Sequence, residues 1–65
     1  MKISINGVLT NVTAKNLETI LDEAGYGDTR VATAVNGSFV PTERRVEFEI
    51  QEGDQLEVVT PRQGG

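Results

Sequence analysis

The 65-residue chain has no histidine and no cysteine. It therefore lacks the commonest general base, the commonest thiol nucleophile and the usual zinc ligands. No disulfide framework is possible, which fits a reducing interior. The carboxylates show no D-x-D-x-D-G spacing, so no metal site is expected. The six basic residues are scattered and outnumbered by ten acidic ones, giving a net charge of −4. A nucleic-acid binder needs a basic face to neutralise phosphates, and the aromatics Tyr26, Phe39 and Phe48 are few for stacking bases. No apolar run approaches the roughly 20 residues that span a bilayer, and no signal-peptide pattern opens the chain. These absences predict a small cytoplasmic recognition module that binds neither nucleic acid nor membrane. Its acidic balance favours a protein partner with a basic docking surface.

What is present reads as alternating strand and turn signals around one helix. In "KISINGVLTNV", Asn6-Gly7 separates two β-prone runs, and both residues tolerate the positive φ of a type I′ turn. Strands are predicted near 2–5 and 8–12. In "NLETILDEAGYG", Leu17, Ile20, Leu21 and Ala24 make one apolar helical stripe, with Glu18, Thr19, Asp22 and Glu23 facing water. Asn16 suits the N-cap and Glu18 the positive first turn; Gly25 suits a left-handed C-terminal position, with Tyr26 folding back on Leu21.

The stretch "VATAVNGSFV" repeats the opening grammar around Asn36-Gly37, and Pro41 ends the ladder. Valines and alanines around Thr33 leave the buried face of 31–35 open. "RRVEFEI" alternates Val46, Phe48 and Ile50 with Glu47 and Glu49, which predicts a half-buried strand or extended segment. Arg44 and Arg45 are expected in a solvated turn. "EGD" at 52–54 is a turn, and "QLEVVT" is the last strand, with Leu56 and Val58 inward and Val59 outward. One helix facing a mixed sheet of four to five strands is an α+β two-layer fold.

After Thr60 the character changes. Pro61 cannot donate to a sheet, Arg62 and Gln63 are long and polar, and Gly64 and Gly65 have no side chain to pack. Residues 1–60 are read as the folded domain and 61–65 as a flexible C-terminal tail. Many chain ends look like this and do nothing. The functional reading starts from a terminal carboxylate, which is a poor electrophile and needs activation by transfer to a nucleotide in another protein's site. A tail that threads a narrow channel to reach that site is best made of glycine, whose backbone approaches closely and adopts any φ.

The chain length, the central "AVNGSFVP" and the ending "EGDQLEVVTPRQGG" together resemble the thiazole sulfur carriers of thiamin biosynthesis across essentially the whole sequence. Residues 35–37, Val40-Pro41, Gly53-Asp54 and Gly64-Gly65 carry the likeness. The resemblance implies a β-grasp, ubiquitin-like fold and a protein that is not itself an enzyme. An adenylating enzyme of the ubiquitin-activating type would use ATP and magnesium on the Gly65 carboxylate. A sulfur donor protein would convert the adenylate to a thiocarboxylate, and thiazole synthase would take the sulfur. Gly65 then carries the reacting group, while Gly64, Gln63 and Arg62 thread the channel. The segment 43–50 is variable in such proteins, and no role is assigned to it.

The small subunit of molybdopterin synthase and ubiquitin-like protein modifiers share the fold and the Gly-Gly end; the short chain and central "VNG" favour the thiamin carrier. A stand-alone RNA-binding β-grasp module is disfavoured by the acidic charge. Docking is expected on the sheet face turned from the helix, with Val59 exposed and Phe39 and Val40 joining it as an apolar patch. For Phe39, core packing is the competing reading.

Overall fold

A computed structural model describes residues 1–61. The described residues form strands β1 (Lys2–Ile5) and β2 (Val8–Asn11), helix α1 (Leu17–Glu23), strands β3 (Ala32–Val35) and β4 (Ser38–Val40), a 3₁₀ turn at Thr42–Arg44, and strand β5 (Gln55–Val59). Local chemistry dictates both hairpins. Asn6 and Gly7 lie at φ 51° and 84°, and Asn36 and Gly37 at 50° and 86°, the left-handed pair that a two-residue type I′ turn requires. Ile5 then opposes Val8, and Val35 opposes Ser38.

Helix α1 starts and stops where its caps dictate. Asn16 Oδ1 accepts from the Thr19 amide at 2.8 Å. At the far end Gly25, at φ 95°, allows a Schellman closure: its amide donates to Asp22 O at 3.1 Å, and the Tyr26 amide to Leu21 O at 2.8 Å. Leu17, Ile20 and Leu21 are buried as the stripe predicts, whereas Ala24 is an exposed cap residue and not part of the stripe. A helix of this length is marginal in isolation, so it owes its existence to this buried stripe and to its caps.

The five strands make one sheet in the order β2-β1-β5-β3-β4. β1 and β5 are parallel at its centre, and the other neighbours are antiparallel. The helix packs on one face, burying Ile3, Ile20, Leu17 and Leu56 almost completely. One helix on a five-stranded mixed sheet, with the last strand inserted between β1 and β3, is the β-grasp arrangement. Among the described residues no helix is long and apolar enough to cross a membrane.

The segment 43–50 departs from expectation. It is neither a strand nor an extended segment until Glu49, which makes an isolated bridge to Asn16. Instead, i→i+3 hydrogen bonds wind it from Pro41: Arg44 N to Pro41 O at 3.0 Å, Arg45 N to Thr42 O at 3.2 Å and Phe48 N to Arg45 O at 3.3 Å. Val46 is exposed, and Arg45, expected in a solvated turn, is 7% exposed. The reason is a polar anchor. Arg45 Nε donates to Thr33 Oγ1 at 3.2 Å and Nη2 to Val31 O at 2.6 Å, while the Thr33 hydroxyl donates to Val40 O at 2.8 Å. This relay ties the winding segment to β3 and β4 and satisfies groups that burial would otherwise leave unpaired.

Two stability predictions follow from these contacts. Arg45→Met leaves the buried Val31 carbonyl without its donor and should lower unfolding free energy by about 1–3 kcal/mol. Arg45→Lys should rescue little, because an ammonium lacks the planar fork that reaches both acceptors. Urea denaturation reads both, and an Arg45→Met midpoint equal to that of the unsubstituted protein would refute the anchor.

The second concerns Glu23, in the last turn of α1, where a negative charge opposes the helix dipole. Its carboxylate is instead recruited by the preceding loop, accepting from the Thr13 hydroxyl and from the Thr13 and Ala14 amides at 3.3 Å. The Thr13 hydroxyl first, then the Ala14 amide, hold its pKa below the ordinary 4.5. A depressed carboxyl pKa contributes stability that is complete above the unfolded value of 4.5 and lost as pH falls through the lower folded value. The melting temperature of the unsubstituted protein should therefore drop more steeply than that of Glu23→Gln as pH falls below 4.5. Parallel curves would exclude the contact as a source of acid sensitivity.

Candidate functional site

The site is built from the central strand outward. Along β5, Leu56 and Val58 point into the core, while Gln55, Glu57 and Val59 are exposed. Strand register then assembles a surface on the face turned from α1. Glu57 opposes Ala34, and Ala34 opposes Phe39, making one row across three strands; Val59 opposes Ala32 in the next row. Phe39 is 68% exposed and Val59 63% exposed. The alanines between them form a low apolar floor, so the two larger side chains stand at its margins. Beside Phe39, a shallow groove of about 280 Å³ is bounded by Val40, Pro41, Arg44 and Phe48. The Arg44–Glu47 pair at this rim, 3.9 Å apart and well exposed, contributes little to stability.

Phe39 and Val59 thus occupy the outer face, as expected. Val40 does not. It is 3% exposed, and its register partner Thr33 is buried on the helix side of the sheet. Alternation on a strand sends neighbours to opposite faces, so Val40 does not lie on the outer face with Phe39, although both line the groove at the edge of β4. Leu9, at the other edge, reaches the outer face through its pairing with Ser4 and is 69% exposed. Glu57 places one carboxylate within this surface.

Thr60 and the exposed Pro61 continue the chain away from Val59. Arg62, Gln63, Gly64 and Gly65, the candidate tail residues, lie outside the described residues. What the structure places is their root, at the end of β5 that borders the Val59–Ala32 row.

The side chains of the two turn asparagines escaped the sequence reading. Asn6 Oδ1 accepts from the Val58 amide at 2.8 Å, and Asn6 Nδ2 donates to Val58 O at 3.1 Å. Asn36 Oδ1 accepts from the Gln55 amide at 3.0 Å, and its Nδ2 donates to Asp54 Oδ1 at 3.1 Å. Each carboxamide fastens one end of β5. The only sequence signal was the choice of Asn where Gly or Asp also fits the turn.

The model of the ThiS family matches residues 3–65. Among solved structures, the fold is similar to that of a thiamine biosynthesis protein (ThiS) from Geobacter metallireducens. That likeness has a TM-score of 0.84 at 22% sequence identity and covers 100% of both chains. At that identity the likeness speaks for the fold. No curated protein sequence matches the chain.

The two faces of β4 make opposite predictions. Val40→Ala should cost about 2 kcal/mol through lost burial and the cavity left behind. Phe39→Thr and Val59→Thr, which keep strand propensity, should stay within about 0.5 kcal/mol of the unsubstituted protein. Urea midpoints for the three variants check the assignment, and a Phe39→Thr cost equal to that of Val40→Ala would place Phe39 in the core.

Proposed function

The chain belongs to the ThiS family, the small sulfur carriers of thiamin biosynthesis, and on that premise we propose that Gly65 carries the sulfur. The observation that carries the reading is that the family match runs through Gly64 and Gly65 to residue 65. The chain has no cysteine to hold sulfur on a side chain. A carboxylate at Gly65 supplies the alternative.

In this mechanism an adenylating enzyme of the ubiquitin-activating type binds ATP and magnesium. A Gly65 carboxylate oxygen attacks the α-phosphorus, and pyrophosphate leaves. Sulfur at the sulfide level, delivered by a donor protein, displaces AMP and leaves a thiocarboxylate. Thiazole synthase then takes the sulfur, and water restores the carboxylate. The protein contributes no acid, base or nucleophile of its own beyond that terminus; it is the substrate of its partners. Gly64 suits a channel too narrow for a Cβ, with Gln63 and Arg62 at its mouth. The outer-face surface of Phe39, Ala34, Ala32 and Val59 supports docking of the activating enzyme, because it is continuous with the root of the tail. Glu57 within it favours a basic counterpart. The reaction sequence belongs to the cytoplasm, where ATP and reduced sulfur carriers coexist.

Adding one residue after Gly65 should abolish pyrophosphate exchange by the activating enzyme while leaving the circular dichroism spectrum unchanged. The protein isolated from its own cells should contain a fraction heavier by the replacement of one oxygen with sulfur, localised to Gly65. Undiminished exchange by the extended protein would refute the proposal. So would a mature chain that continues beyond Gly65.

A further inference from the structure

We propose that Asn6 is a positioning residue for the C-terminal arm. Its carboxamide extends the central ladder by one step and so fixes the direction in which the chain leaves the sheet. The inference rests on the carrier reading for its functional consequence, and on the hydrogen-bond geometry for its structural part.

The parallel pairing of β1 with β5 runs only through Ser4↔Gln55 and Ile5↔Leu56. One more backbone bond follows, from the Asn6 amide to Leu56 O at 2.9 Å. There the chain of β1 reverses through Asn6-Gly7, so no main-chain group of β1 stands opposite Val58. β5 nonetheless continues to Val59, and the arm begins after it. On the β3 side the strand stays paired, Thr33 with Val58 and Ala32 with Val59. On the β1 side the Asn6 side chain takes over. A carboxamide offers the same donor and acceptor as a peptide group, and this one engages both the amide and the carbonyl of Val58, at 2.8 and 3.1 Å. The strand is thus held on two flanks up to the residue before Val59. Were the second flank open, Val58 and Val59 would be held by β3 alone, and the end of β5 could swing away from β1, carrying the root of the arm with it.

The residue type is dictated. The turn needs φ near +50° at this position, which asparagine tolerates better than other side chains. Glycine fits the turn and makes neither bond. Aspartate still accepts from the Val58 amide but sets a carboxylate oxygen against the Val58 carbonyl. Asn36 is an internal control: it occupies the same place in an equivalent turn and also fastens β5, but at Gln55, the end remote from the arm.

The experiment compares Asn6→Gly, Asn6→Asp and Asn36→Gly in the full chain, below the melting temperature of all three. Amide hydrogen exchange at Val58 should quicken about tenfold or more in Asn6→Gly, less in Asn6→Asp, which keeps the acceptor, and stay near the unsubstituted rate in Asn36→Gly. In pyrophosphate exchange with the activating enzyme, both Asn6 variants should lose about tenfold in kcat with KM little changed, because the docking face is intact and only the aim of the arm suffers. Asn36→Gly should lose less than about twofold, even where it is equally destabilised. Equal loss in Asn6→Gly and Asn36→Gly, or unchanged Val58 protection in Asn6→Gly, overturns the proposal. If the unsubstituted protein supports no pyrophosphate exchange, the carrier reading fails instead. In that case, lost Val58 protection confined to the Asn6 variants still upholds Asn6 as the residue that fixes the root of the arm.

Discussion

The structure depends on the insertion of its last strand into the middle of the sheet. β5 lies between β1 and β3, parallel to one and antiparallel to the other. Neither hairpin alone buries its apolar face, because each presents two short strands and an unpaired edge. With β5 in place, Leu56 and Val58 complete the surface against which Leu17, Ile20 and Leu21 pack. The strand that joins the two halves of the fold is also the strand from which residues 62–65 depart. Folding the domain and placing the root of the tail are therefore one event, driven by the same burial.

That insertion forces a second feature. The chain leaves β4 at one edge and must return to the centre, which it does by winding across the end of the sheet beneath the start of α1. The winding segment has a purpose there. The Leu17 amide donates to Phe48 O at 2.9 Å and the Glu18 amide to Arg45 O at 3.2 Å, while Thr19 is capped by Asn16 Oδ1. The first amides of a short helix are thus satisfied by carbonyls distant in sequence. Arg45 holds the segment in register by reaching into the strand layer, where it finds neutral oxygens rather than a carboxylate. A guanidinium suits this because its fork presents several donors in one plane.

The same facts explain what was legible in the sequence. The hairpins and the helix were, because Asn-Gly and the stripe of Leu17, Ile20 and Leu21 act over a few residues and leave a residue-type signature. The outward exposure of Val59 followed from strand alternation. The winding of residues 44–47 had no such signature, because Val46, Phe48 and Ile50 alternate as on a strand, while the winding is fixed by backbone carbonyls meeting helix amides, and carbonyls carry no residue identity. Arg45 reads as one more surface charge until its acceptors are in place. Val40 was assigned to the patch by proximity to Phe39, although adjacency on a strand means opposite faces. The parallel pairing of β1 with β5, and the reach of Asn6 and Asn36 to β5, join residues far apart in the chain and have no local trace. The tail motif was the plainest functional signal in the sequence and lies outside the described residues.

Register along β5 is what both stability and recognition finally rest on. Its inward residues, Leu56 and Val58, serve the core; its outward residues, Glu57 and Val59, serve the surface. A slip of one residue would exchange the two sets, burying a carboxylate and exposing the core valine and leucine. The same slip would move the origin of the tail by about 3.3 Å along the strand, a large error for a group that must enter another protein's catalytic site. Antiparallel pairing with β3 alone gives four opposed residue pairs to resist it. The two carboxamides add contacts that are satisfied in one register only, Asn36 at the first residue of β5 and Asn6 near the last. Two turn positions that any hairpin would fill with a residue of positive φ thereby also set where the surface lies and where the tail begins.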